Sequence, residues 1–126
     1  MKKMYLTLPL FALIVACGGG TEKKEAGAAT EQVVDLSSNP DYQKGLELIG
    51  KSDCLTCHKV SEKNIGPAYK DVAAKYENTE ENVKMLAGKI IKGGQGVWGA
   101  IPMTPHSSLS EADAEQMVKY ILLLKK

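Results

Sequence analysis

The stretch SDCLTCHKV, residues 52–60, places two cysteines three positions apart, with a histidine directly after the second cysteine. Such a pattern is compatible with a disulfide, a redox-active dithiol, part of a metal site, or the attachment point of a cofactor. The chain has only one other cysteine, Cys17, and one other histidine, His106. The roles of these residues therefore decide the interpretation of the whole sequence.

The order C-x-x-C-H is the attachment pattern for a c-type haem. The thiols of Cys54 and Cys57 can add across the two vinyl groups of a porphyrin, because their spacing matches the separation of those groups. His58 then lies below the plane of the ring, where its Nε2 can bind the iron. We therefore expect one covalently attached haem c.

Three other interpretations of the motif have less support. A tetrahedral zinc site needs four ligands, and apart from Cys17 only His106 remains to complete one. A thioredoxin-like dithiol needs a βαβ context, and the sequence has no alternating strand pattern of useful length. A structural disulfide across two intervening residues would stabilise little and would leave His58 without a role.

The first 17 residues, MKKMYLTLPLFALIVAC, begin with two lysines and continue with an uncharged, mostly apolar stretch. A spanning helix needs about 20 apolar residues, so this segment is too short and is typical of a signal peptide. Its ending, IVAC, resembles the lipobox of bacterial lipoproteins, in which the signal is cleaved before a lipidated cysteine. We predict a signal peptide at residues 1–16 and lipidation of Cys17. An ordinary secretory signal or a free cysteine is the alternative.

Residues 17–38 are rich in Gly, Ala, Thr, Ser and charge. Such a composition buries too little apolar surface to offset the entropy lost on ordering, so we predict a flexible tether. The folded domain is expected to occupy residues 39–126. A lipid anchor followed by a tether would hold that domain near a membrane surface.

Two helices are predicted in the first half of this domain. Asn39 can cap the first helix, with Pro40 at its first position, and the helix runs to about Ser52. The second is predicted from Pro67 to Tyr76. Each shows a short amphipathic face.

Two longer helices are predicted in the second half. Thr79 can cap the third helix, which ends at the glycine pair 93–94 and has apolar residues at the i, i+3, i+4, i+7, i+8 spacing: Val83, Leu86, Ala87, Ile90 and Ile91. The last helix starts at Ser110, with Asp113 three residues on. The domain is therefore predicted to be all-α with four helices. A large buried cofactor would enlarge its small core.

An iron bound by one histidine lacks its sixth ligand. The stretch GVWGAIPMTPH, residues 96–106, offers Met103, with Pro102 and Pro105 fixing the backbone around it. Met85 and Met117 lie on apolar helix faces and are more simply core residues. We therefore predict that Met103 binds the iron on the face opposite His58; the alternative is an incidental loop methionine.

Together these features resemble the short monohaem bacterial cytochromes c of class I. The resemblance covers Pro40 to Lys125 and lies in the stretches CLTCH, IGPAYKDVAAKY (65–76), QGVWGAIPM (95–103) and the last helix. It implies an all-α fold of about four helices around one haem. It also implies a close crossing of the first and last helices at Gly45 and Tyr120.

The resemblance implies specific roles around the haem. Cys54 and Cys57 would form the thioethers, and the axial ligands would be His58 and Met103. Three supporting residues match family positions: Pro67, whose carbonyl accepts the histidine Nδ1–H; Trp98, whose indole N–H reaches a propionate; and Lys89, which stands near that propionate where relatives often carry arginine. Pro67 as a helix start and Trp98 as a core residue are the simpler alternatives.

One position departs from the family pattern. After the methionine the relatives carry a proline and then an asparagine whose amide reaches the methionine sulfur, whereas this chain has Thr104, Pro105 and His106. We favour the interpretation of His106 as a solvent-exposed loop residue. It could instead replace the asparagine hydrogen bond or displace Met103 from the iron at high pH.

With both axial positions filled, small substrates would have no open site on the iron, so we do not expect an enzyme. The expected function is outer-sphere transfer of single electrons between respiratory proteins such as an oxidase, reductase or dehydrogenase. Lys51, Lys59 and Lys63 could steer an acidic partner or could be solubilising charge. The alternative is a haem-based ligand sensor or weak peroxidase in which Met103 does not hold the iron.

The composition also bears on other partners. The chain contains no arginine and has a formal net charge of +1, which argues against nucleic-acid binding. We expect a monomer on the extracytoplasmic side of a bacterial membrane, with the domain in the periplasm. Such a chain could act as a free shuttle or as a fixed haem subunit of one complex.

Overall fold

The computed structural model describes residues 35–125. The predicted signal peptide at 1–16, Cys17 and most of the predicted tether at 17–38 lie outside the described residues. Four α-helices follow one another: α1 (Pro40–Gly50), α2 (Tyr69–Lys75), α3 (Glu80–Lys92) and α4 (Glu111–Leu123). A short 3₁₀ helix, Asp53–Thr56, contains the first cysteine of the C-x-x-C-H motif. The predicted all-α fold with four helices is confirmed.

The predicted caps are present. The Asn39 side chain accepts hydrogen bonds from the backbone N–H groups of Asp41 and Tyr42, at 2.9 and 3.2 Å. Ser110 accepts one from the backbone N–H of Asp113 at 3.1 Å. These bonds satisfy donors that have no partner within a helix, and they explain why both helices begin where the sequence predicts.

The second helix differs from its predicted range. It begins at Tyr69 rather than Pro67, because Ala68 before it has an extended backbone. The N–H groups of the first two helical residues donate to the carbonyls of Lys59 and Val60, at 2.9 and 3.0 Å. The segment that follows the C-x-x-C-H motif thus accepts hydrogen bonds from the start of α2. The helix has no side-chain cap.

The last helix connects two groups of core residues. One face of α4 contributes Met117, Tyr120 and Ile121 to a cluster that also contains Ile49 and Tyr69. Its other face contributes to a second cluster, which joins it to α3: Val83, Ala87, Ala114, Val118 and Leu122. Helix α4 therefore holds α1, α2 and α3 in their places. Among the described residues, no helix has the length and apolar character needed to cross a membrane.

The first and last helices cross at Gly45. A Cβ atom at this position would lie 2.4 Å from Tyr120 Cβ and 2.6 Å from the Gln116 carbonyl oxygen. The side chain of Gln116 also donates to the Asp41 carboxylate at 3.0 Å across the same crossing. The close crossing implied by the family resemblance is present, and it requires glycine.

We expect Gly45→Ala to lower the free energy of unfolding by about 1–3 kcal/mol, because the added methyl group overpacks the crossing. Denaturant unfolding of the haem-loaded protein measures this change. The matched control is Gly88→Ala, where a Cβ would have no neighbour within 4 Å. That variant should be as stable as the wild type or more stable by up to about 1 kcal/mol, since alanine is the better helix former. Equal losses in both variants would contradict this account of the crossing.

Candidate haem site

A cavity of about 520 Å³ lies among the helices and the loops of the second half of the chain. This volume is within the range of about 300–1,000 Å³ that is usual for cofactor sites. Its lining includes every site residue predicted within the domain: Cys54, Cys57, His58, Pro67, Lys89, Trp98 and Met103. The structure thus brings together residues that are up to 49 positions apart in sequence, from 54 to 103.

The two cysteines lie on a compact turn at one side of this cavity. The backbone N–H groups of Cys57 and His58 both donate to the carbonyl of Cys54, at 3.2 and 3.0 Å. Both thiols are free and partly buried. Burial raises the pKa of the Cys54 thiol. Among residues 35–125, no group of three or more His, Cys, Asp or Glu residues is placed to hold a metal ion.

The His58 ring is held on three sides. Its Nδ1–H donates to the carbonyl oxygen of Pro67 at 2.8 Å, which leaves the lone pair of Nε2 available. The Tyr69 ring stacks on it, with centroids 5.4 Å apart and an interplanar angle of 20°. At Gly66 a Cβ atom would lie 2.4 Å from His58 Cε1. Only glycine fits beside this ring.

Tyr69 is a site residue that the sequence analysis missed. It is buried beside Cys54, and burial, followed by the neighbouring Cys54 and Tyr120, raises the pKa of its hydroxyl. Its ring also meets the Tyr120 ring edge-on at 6.4 Å, and the Tyr120 ring lies 5.0 Å from that of Tyr42. An aromatic series therefore leads from His58 to α1. The only signal in the sequence was the position of Tyr69, two residues after Pro67.

Met103 lies on a loop whose two ends are joined by the backbone. Its N–H donates to the Gly94 carbonyl at 2.8 Å, and the Gly94 N–H donates back at 3.4 Å in an antiparallel bridge. At Gly93, where φ is +72°, a Cβ would lie 2.5 Å from the Met103 carbonyl oxygen. The sequence analysis attributed the position of Met103 to Pro102 and Pro105. The structure shows that the end of α3 also fixes it.

Trp98 and Lys89 line the same cavity. Trp98 lies in the loop closed by the bridge and is 38% exposed. The ammonium group of Lys75 is 5.6 Å from the centroid of its ring, at cation–π distance. Helix α2 thus contacts the Met103 loop through a charged side chain.

His106 is only partly buried, with a side chain 21% exposed. Its Nε2 lies 3.0 Å from Oδ1 of Asp53, at the start of the 3₁₀ helix. The preferred interpretation of His106 as a solvent-exposed loop residue is therefore wrong. The cause is a contact between residues 53 positions apart, which local sequence does not reveal.

The residues present fit a covalently bound haem. Two free thiols at the required spacing line a cavity of suitable volume, and a histidine with an available nitrogen follows them. Much of the remaining lining is apolar, including Ile49, Val72, Met117 and Ile121. An apolar lining is what a porphyrin ring requires.

Comparison with known proteins agrees with this geometry. The model of the cytochrome c family matches residues 42–125, and the chain belongs to that family. Cytochrome c-552 of Nitrosomonas europaea is 47% identical over 83 residues, which cover 66% of this chain and 81% of the relative. Cytochrome c-552 of Hydrogenobacter thermophilus is 46% identical, covering 63% and 80% of the two chains. The short monohaem bacterial type predicted from the sequence is confirmed, with one haem c attached through Cys54 and Cys57.

Solved structures support the same fold. The crystal structure of the wild-type Nitrosomonas europaea cytochrome c552 has a TM-score of 0.60 and 48% identity. The match covers 64% of this chain and 99% of that one. A class 1 cytochrome from Sideroxydans lithotrophicus, at 23% identity and a TM-score of 0.54, has a similar fold.

We expect Gly66→Ala to displace the His58 ring and lengthen its bond to the Pro67 carbonyl. The free energy of unfolding of the haem-loaded protein should fall by about 1–3 kcal/mol, because the new methyl group overlaps the ring. The proton resonances of His58 in the reduced protein should shift. Gly50→Ala serves as the control, since a Cβ there has no neighbour within 4 Å. An unshifted His58 in Gly66→Ala would show that the ring does not need this glycine.

Proposed function

We propose that this cytochrome carries single electrons between redox proteins, with His58 and Met103 as the axial ligands of its haem iron. The haem supplies a reversible one-electron change between Fe(III) and Fe(II). The observation that carries the proposal is that two independent sets of contacts present these two side chains to one cavity. His58 is held by Pro67, Gly66 and Tyr69, and Met103 by the end of α3.

The contacts of His58 suit a permanent ligand. Donation from Nδ1–H to a carbonyl fixes the tautomer with a free Nε2 and raises the basicity of that nitrogen. The stacked Tyr69 ring and the absence of a side chain at Gly66 limit the orientations of the imidazole. These contacts would therefore hold the nitrogen in one orientation toward the iron.

The contacts of Met103 would suit the second protein ligand of the haem iron. The bridge to Gly94 fixes its backbone on the cavity lining, and a thioether is a weak donor that favours the reduced iron. The apolar surroundings act in the same direction, because they disfavour the additional charge of the oxidised state. We therefore infer a carrier of relatively high reduction potential, with no iron position open to a small substrate. On this basis it is not an enzyme.

Trp98 and Lys89 are proposed to contact a haem propionate. Both line the cavity, and both carry N–H donors that a carboxylate accepts. Lys89 lies in the last turn of α3, close to the bridge that holds Met103. A contact from either residue would place the acidic edge of the haem near the Met103 loop.

The proposed setting of this carrier rests on the sequence before the domain. Lipidation of Cys17 would anchor the chain to a bacterial membrane, and residues 17–38 would let the domain search a restricted volume in the periplasm. Partners on the same membrane, such as an oxidase, a reductase or a dehydrogenase, would then meet a raised effective concentration of the carrier. We take the chain to be a monomer.

The lysines near the turn that carries Cys54, Cys57 and His58, here called the attachment turn, give limited support to electrostatic steering. Lys51 forms an ion pair with Glu47, and Lys59 lies 3.5 Å from Glu62. These glutamates reduce the positive potential that the lysines present to a partner. The charge of this face is therefore mixed, and docking is expected to depend only weakly on ionic strength.

The axial role of Met103 is tested by optical spectra of the full-length protein, produced in cells that attach c-type haem. The oxidised wild type should show the weak long-wavelength charge-transfer band of methionine bound to ferric iron. We expect Met103→Ala to lose this band and to bind carbon monoxide when reduced. The matched control is Met85→Ala, which alters another methionine of the cavity lining and should keep the band.

A wild type that lacks the band and binds carbon monoxide readily would contradict this assignment. That result would favour a haem-based ligand sensor or a weak peroxidase. Covalent haem that is lost in Cys54→Ala and Cys57→Ala would still agree with the attachment turn described above.

The anchor is tested separately by Cys17→Ser in the same cells. We expect the haem-loaded wild type to sediment with membranes and the variant to be found in the soluble fraction or to remain uncleaved, because serine cannot be lipidated on sulfur. Immunoblots of the fractions and the mass of the mature chain measure this. A variant that stays with membranes after cleavage at the same site would contradict lipidation of Cys17.

A further inference from the structure

His106 and Asp53 join the two segments that carry the proposed axial ligands. The Asp53 carboxylate accepts a hydrogen bond from the Nε2–H of His106 at 3.0 Å. Asp53 begins the 3₁₀ helix, next to Cys54. His106 follows Met103 by three positions. Both residues line the haem cavity, so the hydrogen bond crosses its edge.

The backbone of His106 directs its ring toward Asp53. The His106 N–H donates to the carbonyl of Ile90 in α3 at 3.0 Å, and its own carbonyl accepts from Leu109 at the same distance. The ring Nδ1 is buried and has no hydrogen-bond partner among the described residues. The contact with Asp53 is therefore the one hydrogen bond that orients the ring in this part of the chain.

The segment between Met103 and His106 is thus fixed at both of its ends. The bridge to Gly94 holds the Met103 backbone. At the other end, His106 is bonded to α3 through its backbone and to the attachment turn through its side chain. The bridge to Gly94 and the backbone bond of His106 both connect the segment to the end of α3. Among the hydrogen bonds of residues 35–125, only that of the His106 side chain connects this segment to the part of the chain that carries Cys54 and His58.

We propose that the His106–Asp53 hydrogen bond acts as a clasp that keeps the Met103 segment closed against the attachment turn and so resists displacement of Met103 from the iron. His106 and Asp53 are positioning residues, because each acts on Met103 through the segment. This inference rests on the proposed role of Met103 as an axial ligand.

The size of the effect follows from the exposure of the bond. Asp53 is 78% exposed, so water competes for its carboxylate. A single hydrogen bond of this kind changes an equilibrium by about three- to tenfold. Opening of the Met103 segment should therefore become about three- to tenfold more favourable when the clasp is lost.

Imidazole measures this opening, because it can take the position of Met103 on ferric iron only when the segment moves away. The full-length, haem-loaded protein is titrated with imidazole at constant pH, and the loss of the long-wavelength band gives the affinity. We expect His106→Ala and Asp53→Ala each to raise the affinity about three- to tenfold. The double variant should gain no more than the larger single change, since both remove the same bond.

Two further variants control this experiment. Asp53→Asn keeps a carbonyl acceptor at the same distance and should remain closer to the wild type than Asp53→Ala. Glu62→Ala removes an exposed carboxylate that lies near the attachment turn and pairs only with its neighbour Lys59. The affinity of the Glu62→Ala variant for imidazole should equal that of the wild type. A second measurement, amide exchange of the Met103 N–H, should show faster exchange in both clasp variants.

Several outcomes would overturn the proposal. A change in His106→Ala without one in Asp53→Ala would mean that His106 acts on Met103 directly. Unchanged affinities in both variants, or changes that add in the double variant, would mean that there is no clasp. If the clasp variants have a lower free energy of unfolding than the wild type but the same affinity for imidazole, the bond contributes to stability alone.

Failure of the proposed function gives a different result. If Met103 does not hold the iron, the wild type lacks the long-wavelength band and binds imidazole as tightly as Met103→Ala does. That outcome removes the basis of the clasp as well. A wild type with the band and clasp variants without any change would overturn the clasp alone.

Discussion

The 2.8 Å hydrogen bond between the His58 ring and the Pro67 carbonyl joins two segments that share no helix. The carbonyl is available because the chain remains extended at Ala68, which delays the start of α2 until Tyr69. The same delay puts the Tyr69 ring against the imidazole and leaves room only for glycine at position 66. The conformation of this short connection thus sets the tautomer, the orientation and the packing of the histidine together.

The opposite side of the cavity is organised by the end of α3. Gly93 ends that helix with a positive φ and without a Cβ, which allows the Met103 carbonyl to approach. The bridge from Gly94 then closes the loop that contains Trp98. Helix α4 packs against α1 and α3 through its two faces and so joins the helices that border the cavity. The segments that carry His58 and Met103 depend on different helices, and α4 packs against both groups of helices.

Much of this arrangement was predictable from local patterns. The spacing of apolar residues gave all four helices, and Asn39, Thr79 and Ser110 gave the starts of three of them. The attachment motif identified the cofactor, because the C-x-x-C-H order is short and specific. Within the domain, every predicted site residue lines the cavity.

The features that were missed are those that depend on distant contacts. The stacking of Tyr69 on His58, the bridge between Gly94 and Met103, and the bond from His106 to Asp53 each involve residues whose proximity only the folded chain creates. The start of α2 was misplaced for a similar reason. Pro67 suits the first turn of a helix, but its carbonyl is bonded to His58 and the residue after it is extended.

The aromatic series from His58 through Tyr69 and Tyr120 to Tyr42 connects the His58 side of the cavity with α1. Tyr120 is also the residue whose Cβ lies against Gly45, so its ring direction depends on how closely the first and last helices approach. Separation of these helices would move Tyr120, then Tyr69, and would remove one support of the imidazole. The first helix thus supports the histidine indirectly through these rings, in addition to lining the cavity with Ile49.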